Sequence, residues 1–123
     1  MAHGDITHVE IPVSDFATAT SFYSTLFGWQ IAEPPGFEGY PMWQGPNKVA
    51  GGALTQRSDD FSAPRTYVEV DSIDDTVAAA TAAGGAVVAA KQPITDTSWW
   101  AVIADPDGNA IGLFEGMMAP PEA

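Results

Sequence analysis

A chain of 123 residues, 46% hydrophobic and 11% aromatic, can bury one real core and is too short for two independent ones. Its 16 acidic residues face four basic ones, Lys48, Arg57, Arg65 and Lys91, and the formal charge of −12 repels phosphate backbones and anionic lipid heads, which argues against nucleic-acid and membrane partners. With no cysteine there is neither disulfide nor thiolate chemistry, the start Met1-Ala2-His3-Gly4-Asp5 lacks the pattern of a signal peptide, and no run of about 18 apolar residues exists. The expectation is one soluble, cytoplasmic domain over residues 1–123.

Ile6 to Val13 alternates, with Val9, Ile11 and Val13 on one face and His8, Glu10 and Pro12 on the other, the period of a strand with one face on a core. A helix follows, capped by Ser14 or Asp15, in which Phe16, Ala19, Phe22, Tyr23, Leu26 and Phe27 recur at helical spacing until Gly28. Trp29 to Ile31, Tyr40 to Trp43 and Val49 to Leu54 read as three short strands. The pattern then repeats. Thr66, Val68 and Val70 form the inward face of a strand, Asp71 opens a helix carrying Ile73, Val77 and Ala80 that ends at Gly84-Gly85, and strands follow near Ala86 to Ala90, Trp99 to Ala104 and Asn109 to Glu115. In the last hairpin Pro106 presets a turn, Asp107 or Asn109 bonds its own backbone, and Gly108 takes a positive φ. The joint between repeats is expected at Gln56 to Arg65, and the tail from Ala119 to Ala123 is expected to fray.

Ile6-Thr7-His8-Val9-Glu10-Ile11-Pro12-Val13-Ser14-Asp15, then Phe22-Tyr23 and Phe27-Gly28-Trp29, the second opening Tyr67-Val68-Glu69-Val70-Asp71 and the Asp105 to Glu115 hairpin together resemble the vicinal oxygen chelate superfamily of glyoxalases, bleomycin-resistance proteins and extradiol dioxygenases. The resemblance spans nearly the whole chain. It implies an α+β fold of two βαβββ modules, about 5–56 and 65–117, forming a cupped mixed sheet around a cavity with helices on the outer face, commonly in a homodimer. Its metal-dependent members place one His or Glu ligand on each of four strands. Carried over, those positions fall on His8, on Gly51 or Gly52, on Arg65 and on Gly112. Only His8 can donate, because a guanidinium has no lone pair to give. An alternative register offers His8, Tyr67 and Glu115, but alternation puts Glu115 on the face opposite Gly112 and Phe114, where it ends its strand in solvent. The expectation is therefore no metal and no cofactor.

On the cavity face that the resemblance implies stand His8, Glu10, Arg65, Tyr67 and Glu69. Either Glu10 or Glu69 supplies a carboxylate for acid–base work with Tyr67 as donor, or Arg65 pairs with one of them in a structural network and His8 is simply a hydrogen-bonded strand histidine. Tyr40, Trp43, Trp99 and Trp100 lie on predicted strands, and since alternation turns the adjacent tryptophans to opposite faces, one of them, taken as Trp100, reaches the cavity or a partner subunit; Tyr40, Trp43 and Phe114 are expected with it among the ligand-binding residues. Antibiotic-binding members of the superfamily stack flat ligands on such aromatic walls; Phe27 and Trp29 belong to the core or an interface. The function expected is binding or modification of a small hydrophobic or aromatic metabolite or antibiotic without a metal centre. The alternatives are a metal-dependent lyase, isomerase or dioxygenase, drawing ligands from His8, Tyr67, Glu115 or the Glu33 to Gly39 region, and an assembly domain without a pocket.

Overall fold

The computed structural model describes residues 2–47 and 50–116; Val49, Met117 and the expected tail from Ala119 lie outside the described residues. The fold is α+β, with ten elements in the order β1 (Ile6–Val13), α1 (Phe16–Phe27), β2 (Gln30–Ala32), β3 (Met42–Gln44), β4 (Gly51–Gln56), β5 (Arg65–Glu69), α2 (Ile73–Ala82), β6 (Ala86–Thr95), β7 (Ser98–Ala104) and β8 (Ala110–Gly116). This is βαβββ twice. The chain divides into two compact units, residues 7–66 in one and residues 2–6 with the described chain from Tyr67 onward in the other. Within the second unit the N-terminal segment pairs with β5: Gly4 N–H donates to Glu69 O at 2.8 Å and Glu69 N–H to Asp5 O at 2.8 Å.

In the 7–66 unit the strands lie in the order β2-β3-β4-β1, with β1 parallel to β4 and the other pairs antiparallel. Asp15 caps α1 by accepting from Thr18 N–H, and Gly28 ends it at φ 71°, a left-handed conformation that a residue without Cβ adopts cheaply. Phe16, Ala19 and Tyr23 pack on a cluster of Val13, Trp43 and Leu54, joined by Val9 and Ile11 of β1. Phe22, Leu26 and Phe27, which share the helical spacing, are half or more exposed. At about 100° per residue, Phe22 and Leu26 fall roughly a quarter-turn from the Phe16–Tyr23 stripe. The aromatic end of the cluster is tight, with Trp29 and Trp43 stacked at 3.8 Å and 10°.

In the other unit the order is β5-β8-β7-β6, with β5 parallel to β8. Val70, Ile73, Ala101 and Leu113 form its core, with Val68, Val77, Trp99 and Ile103 packed against them. Ser72, rather than Asp71, caps α2 by accepting from Asp75 N–H, while Asp71 N–H donates to His3 Nδ1 at 3.0 Å. β6 runs five residues beyond the expected Ala90, to Thr95, through three register shifts. The last hairpin turns as expected at Gly108, φ 88°, but its organiser is Asp105, whose Oδ1 accepts from Asp107 N–H and Asn109 N–H.

Candidate functional site

The core contacts of Val9, Ile11 and Val13 turn His8 and Glu10 to the opposite face of β1. There they meet Tyr40, expected on a strand and found instead in the loop before β3. Tyr40 Oη donates to Glu10 Oε2 at 2.6 Å, and the same oxygen lies 2.9 Å from His8 Nε2, with the two rings stacked at 6.2 Å and 9°. A phenol has one proton. With that proton on Glu10, the Tyr40 oxygen accepts from His8, which places a hydrogen on Nε2. Glu10 is only 8% exposed, a depth at which a carboxylate needs such a donor. The result is a continuous chain, His8 Nε2–H to Tyr40 Oη–H to Glu10, built from residues 32 and 30 positions apart.

Burial holds His8 below its ordinary 6.5, with the Glu10 carboxylate acting in the opposite direction. The folded protein thus prefers the neutral ring, and the unfolded chain takes up the proton first. As pH falls below 6.5 the unfolded state gains protons that the folded state lacks, and stability declines until His8 is protonated in both. In urea unfolding from roughly pH 5 to 8, wild-type stability is expected to rise with pH more steeply than that of His8→Gln; equal slopes would contradict this.

The register also places the glycines at the expected ligand positions. Val9 pairs with Gly52 and Glu10 with Ala53, so Gly51 is on the His8 face and Gly52 on the core face. Trp43 pairs with Gly52 and lies across it, its Nε1–H donating to Val9 O at 3.2 Å. Trp43, expected among the ligand-binding residues, is therefore seated in the core with 7% exposure. Arg65 pairs with no carboxylate among the described residues; its guanidinium lies over Phe61, 4.5 Å from the ring centroid.

In the other unit, pairing of Tyr67 with Gly112, Glu69 with Phe114 and Trp100 with Phe114 puts Tyr67, Glu69, Trp100 and Phe114 on one face. Trp99 takes the other, against the α2 core and under Lys91. Gly112 serves the Tyr67 ring, since a Cβ there would stand 2.3 Å from Tyr67 Cδ2. Glu115 does not end in solvent as expected. Its Oε1 accepts from Ile73 N–H at 2.7 Å, at the start of α2, and lies 3.7 Å from Lys91 Nζ.

These residues do not fit a bound divalent ion. In the 7–66 unit Gly51 has no donor and Arg65 cannot ligate; in the other unit, taken by itself, the space beside Gly112 holds a ring and Glu115 is engaged on the α2 face, opposite Tyr67. Among the described residues no three His, Asp or Glu side chains converge. No helix of the described chain is long and apolar enough to cross a membrane.

Two βαβββ repeats with a polar face on the first strand define a glyoxalase-like protein. The model of the glyoxalase-like domain family matches residues 8–114, and the chain belongs to this family, within the vicinal oxygen chelate superfamily. It is 28% identical over 114 residues to CFP32 of Mycobacterium bovis, described by its name as a candidate glyoxylase, covering 87% of this chain and 44% of that protein. The chain thus spans less than half the length of that relative. A glyoxylase-like domain-containing protein of Didymella fabae is 30% identical over 91 residues, 68% of this chain and 70% of that one. Among solved structures, methylmalonyl-CoA epimerase from Mycobacterium tuberculosis shares the fold with a TM-score of 0.71 at 21% identity, over 98% of this chain and 92% of that one.

Proposed function

We propose that this protein binds a small, partly apolar organic molecule and exchanges a proton with it through His8, Tyr40 and Glu10, without a metal ion. The observation that carries the reading is the bond from Tyr40 Oη to the buried Glu10 carboxylate, with His8 Nε2 on the same oxygen. A proton taken from the ligand is held as carboxylic acid at Glu10 or as imidazolium at His8. When His8 takes the ligand proton at Nδ1 and passes its Nε2 proton to the Tyr40 oxygen, Tyr40 gives its own to Glu10 and the hydroxyl is regenerated, so His8 ends neutral and the proton lost by the ligand is balanced by the one gained at Glu10. Thr55 Oγ1 supports a polar ligand here: the pairing of Pro12 with Thr55 puts it on the Glu10 face, buried and without a hydrogen-bond partner among the described residues.

The test is a thermal-shift screen of small carbonyl and hydroxy-aromatic compounds on chelator-treated protein. Hits are then followed by proton NMR in deuterium oxide for exchange of a ligand hydrogen. Binding that survives the chelator, with exchange lost in Glu10→Gln and His8→Gln, supports the reading. Binding that requires added metal, or exchange untouched by both substitutions, defeats it.

A further inference from the structure

The Tyr40 hydroxyl reaches Glu10 and His8 from a loop, so something outside the trio has to hold it there. Residues 33–41 make two turns in quick succession, with Phe37 N–H donating to Pro34 O at 2.9 Å and Tyr40 N–H to Phe37 O at 3.1 Å. Gly36 and Gly39 supply the positive φ values, 87° and 81°, that let the chain reverse. On the far side of Tyr40, Pro41 O accepts from Leu54 N–H at 2.8 Å, which ties the loop exit to β4. On the near side the tie is a side chain: Glu33 Oε1 accepts from Gly39 N–H at 2.8 Å, closing the loop base over six residues. The other carboxylate contact in the loop, Gly36 N–H to Glu38 Oε1, is long at 3.4 Å. Tyr40 is thus held by its own N–H to Phe37 O and, through its chain neighbours, by the Pro41 bond to β4 and the charge-assisted Gly39 bond to Glu33.

We infer that Glu33 is a positioning residue for the Tyr40 hydroxyl, acting through Gly39 rather than by touching the ligand. This rests on the reading of His8, Tyr40 and Glu10 as the working site. Losing the Glu33 bond widens the positions open to the loop and lowers the equilibrium constant for seating the hydroxyl on both partners, by roughly three- to tenfold for one exposed charge-assisted hydrogen bond. The chain has two histidines, so the His8 ring signals are read directly by nitrogen NMR, with His3→Gln to assign them. Glu33→Ala is expected to move the His8 signals toward those of Tyr40→Phe and to speed Gly39 amide exchange, with a loss of stability smaller than that of Tyr40→Phe. Glu33→Gln keeps a carbonyl acceptor and is expected to return the His8 signals most of the way. Unmoved His8 signals in Glu33→Ala beside moved ones in Tyr40→Phe would overturn the inference and leave the trio standing. Unmoved signals in Tyr40→Phe itself would sink the trio, and the role of Glu33 with it.

Discussion

Gly52→Ala is expected to destabilise the 7–66 unit severely, while Gly51→Ala, one residue earlier, is expected to leave it close to wild type. A Cβ at Gly52 would stand 1.8 Å from Val9 O and 2.7 Å from Trp43 Nε1. The obstruction is backbone in the paired strand, and parallel strands held about 4.8 Å apart cannot open locally without losing their ladder. The methyl also evicts the Trp43 indole from its bond to Val9 O and strips the ring that stacks on Trp29. Overpacking of this kind and one lost hydrogen bond together cost about 3–5 kcal/mol, a large share of the roughly 5–15 kcal/mol that holds a domain folded. At Gly51 the nearest atom to a new Cβ is Trp43 O at 3.1 Å, so a shift of a few tenths of an ångström suffices. Circular dichroism and urea midpoints of the two variants decide it, and equal losses would contradict the assignment of faces. Gly112→Ala falls between them, because the atoms at 2.3 and 2.4 Å belong to the Tyr67 ring, which can be turned out at the expense of its buried seat.

Tyr40→Phe is expected to cost about 2–3 kcal/mol of stability although it removes a single oxygen. The ring shape is kept, so the loss is that of a donor to a carboxylate only 8% exposed and of an acceptor for His8. Glu10→Gln should lose less, since its amide oxygen can still accept from Tyr40. The double variant should lose clearly less than the sum of the singles, with a coupling of about 1 kcal/mol or more for groups in direct contact. Ligand binding should fall with Tyr40→Phe as well, since each remaining member of the trio is left without its bridge. Strict additivity, or a Tyr40→Phe protein as stable as wild type, would mean that the hydroxyl bonds do not form in solution.

How much of this was legible in the sequence varied with the distance over which the cause acts. The alternation of Val9, Ile11 and Val13 against His8 and Glu10, and the stop at Gly28, are set by neighbours a few residues away, and they read correctly. The Trp99 and Trp100 divergence follows from the same period of two. Partnerships made through the fold did not show. Glu115 looks like the end of a strand until Ile73, 42 residues away, presents its N–H. Gly112 looks like a lost ligand until the parallel register puts the Tyr67 ring on it. Tyr40 was picked out for its ring, while its hydroxyl is what bonds Glu10, from a loop that turns at Gly36 and Gly39. Glu33 stood out only as the start of a region offering metal ligands, and its bond to Gly39 N–H, six residues on, was not legible.

The central claim, a proton-handling trio that works without a metal, is tested most directly on the His8 ring itself. Nitrogen NMR of the two histidines, recorded after chelator treatment and again with one equivalent of zinc, nickel or manganese, reports both the tautomer and any ligation. The account predicts a neutral His8 protonated at Nε2, with signals that added metal leaves in place and Tyr40→Phe moves. A stoichiometric, tight shift or broadening of the His8 signals on adding metal, absent in His8→Gln, would contradict it.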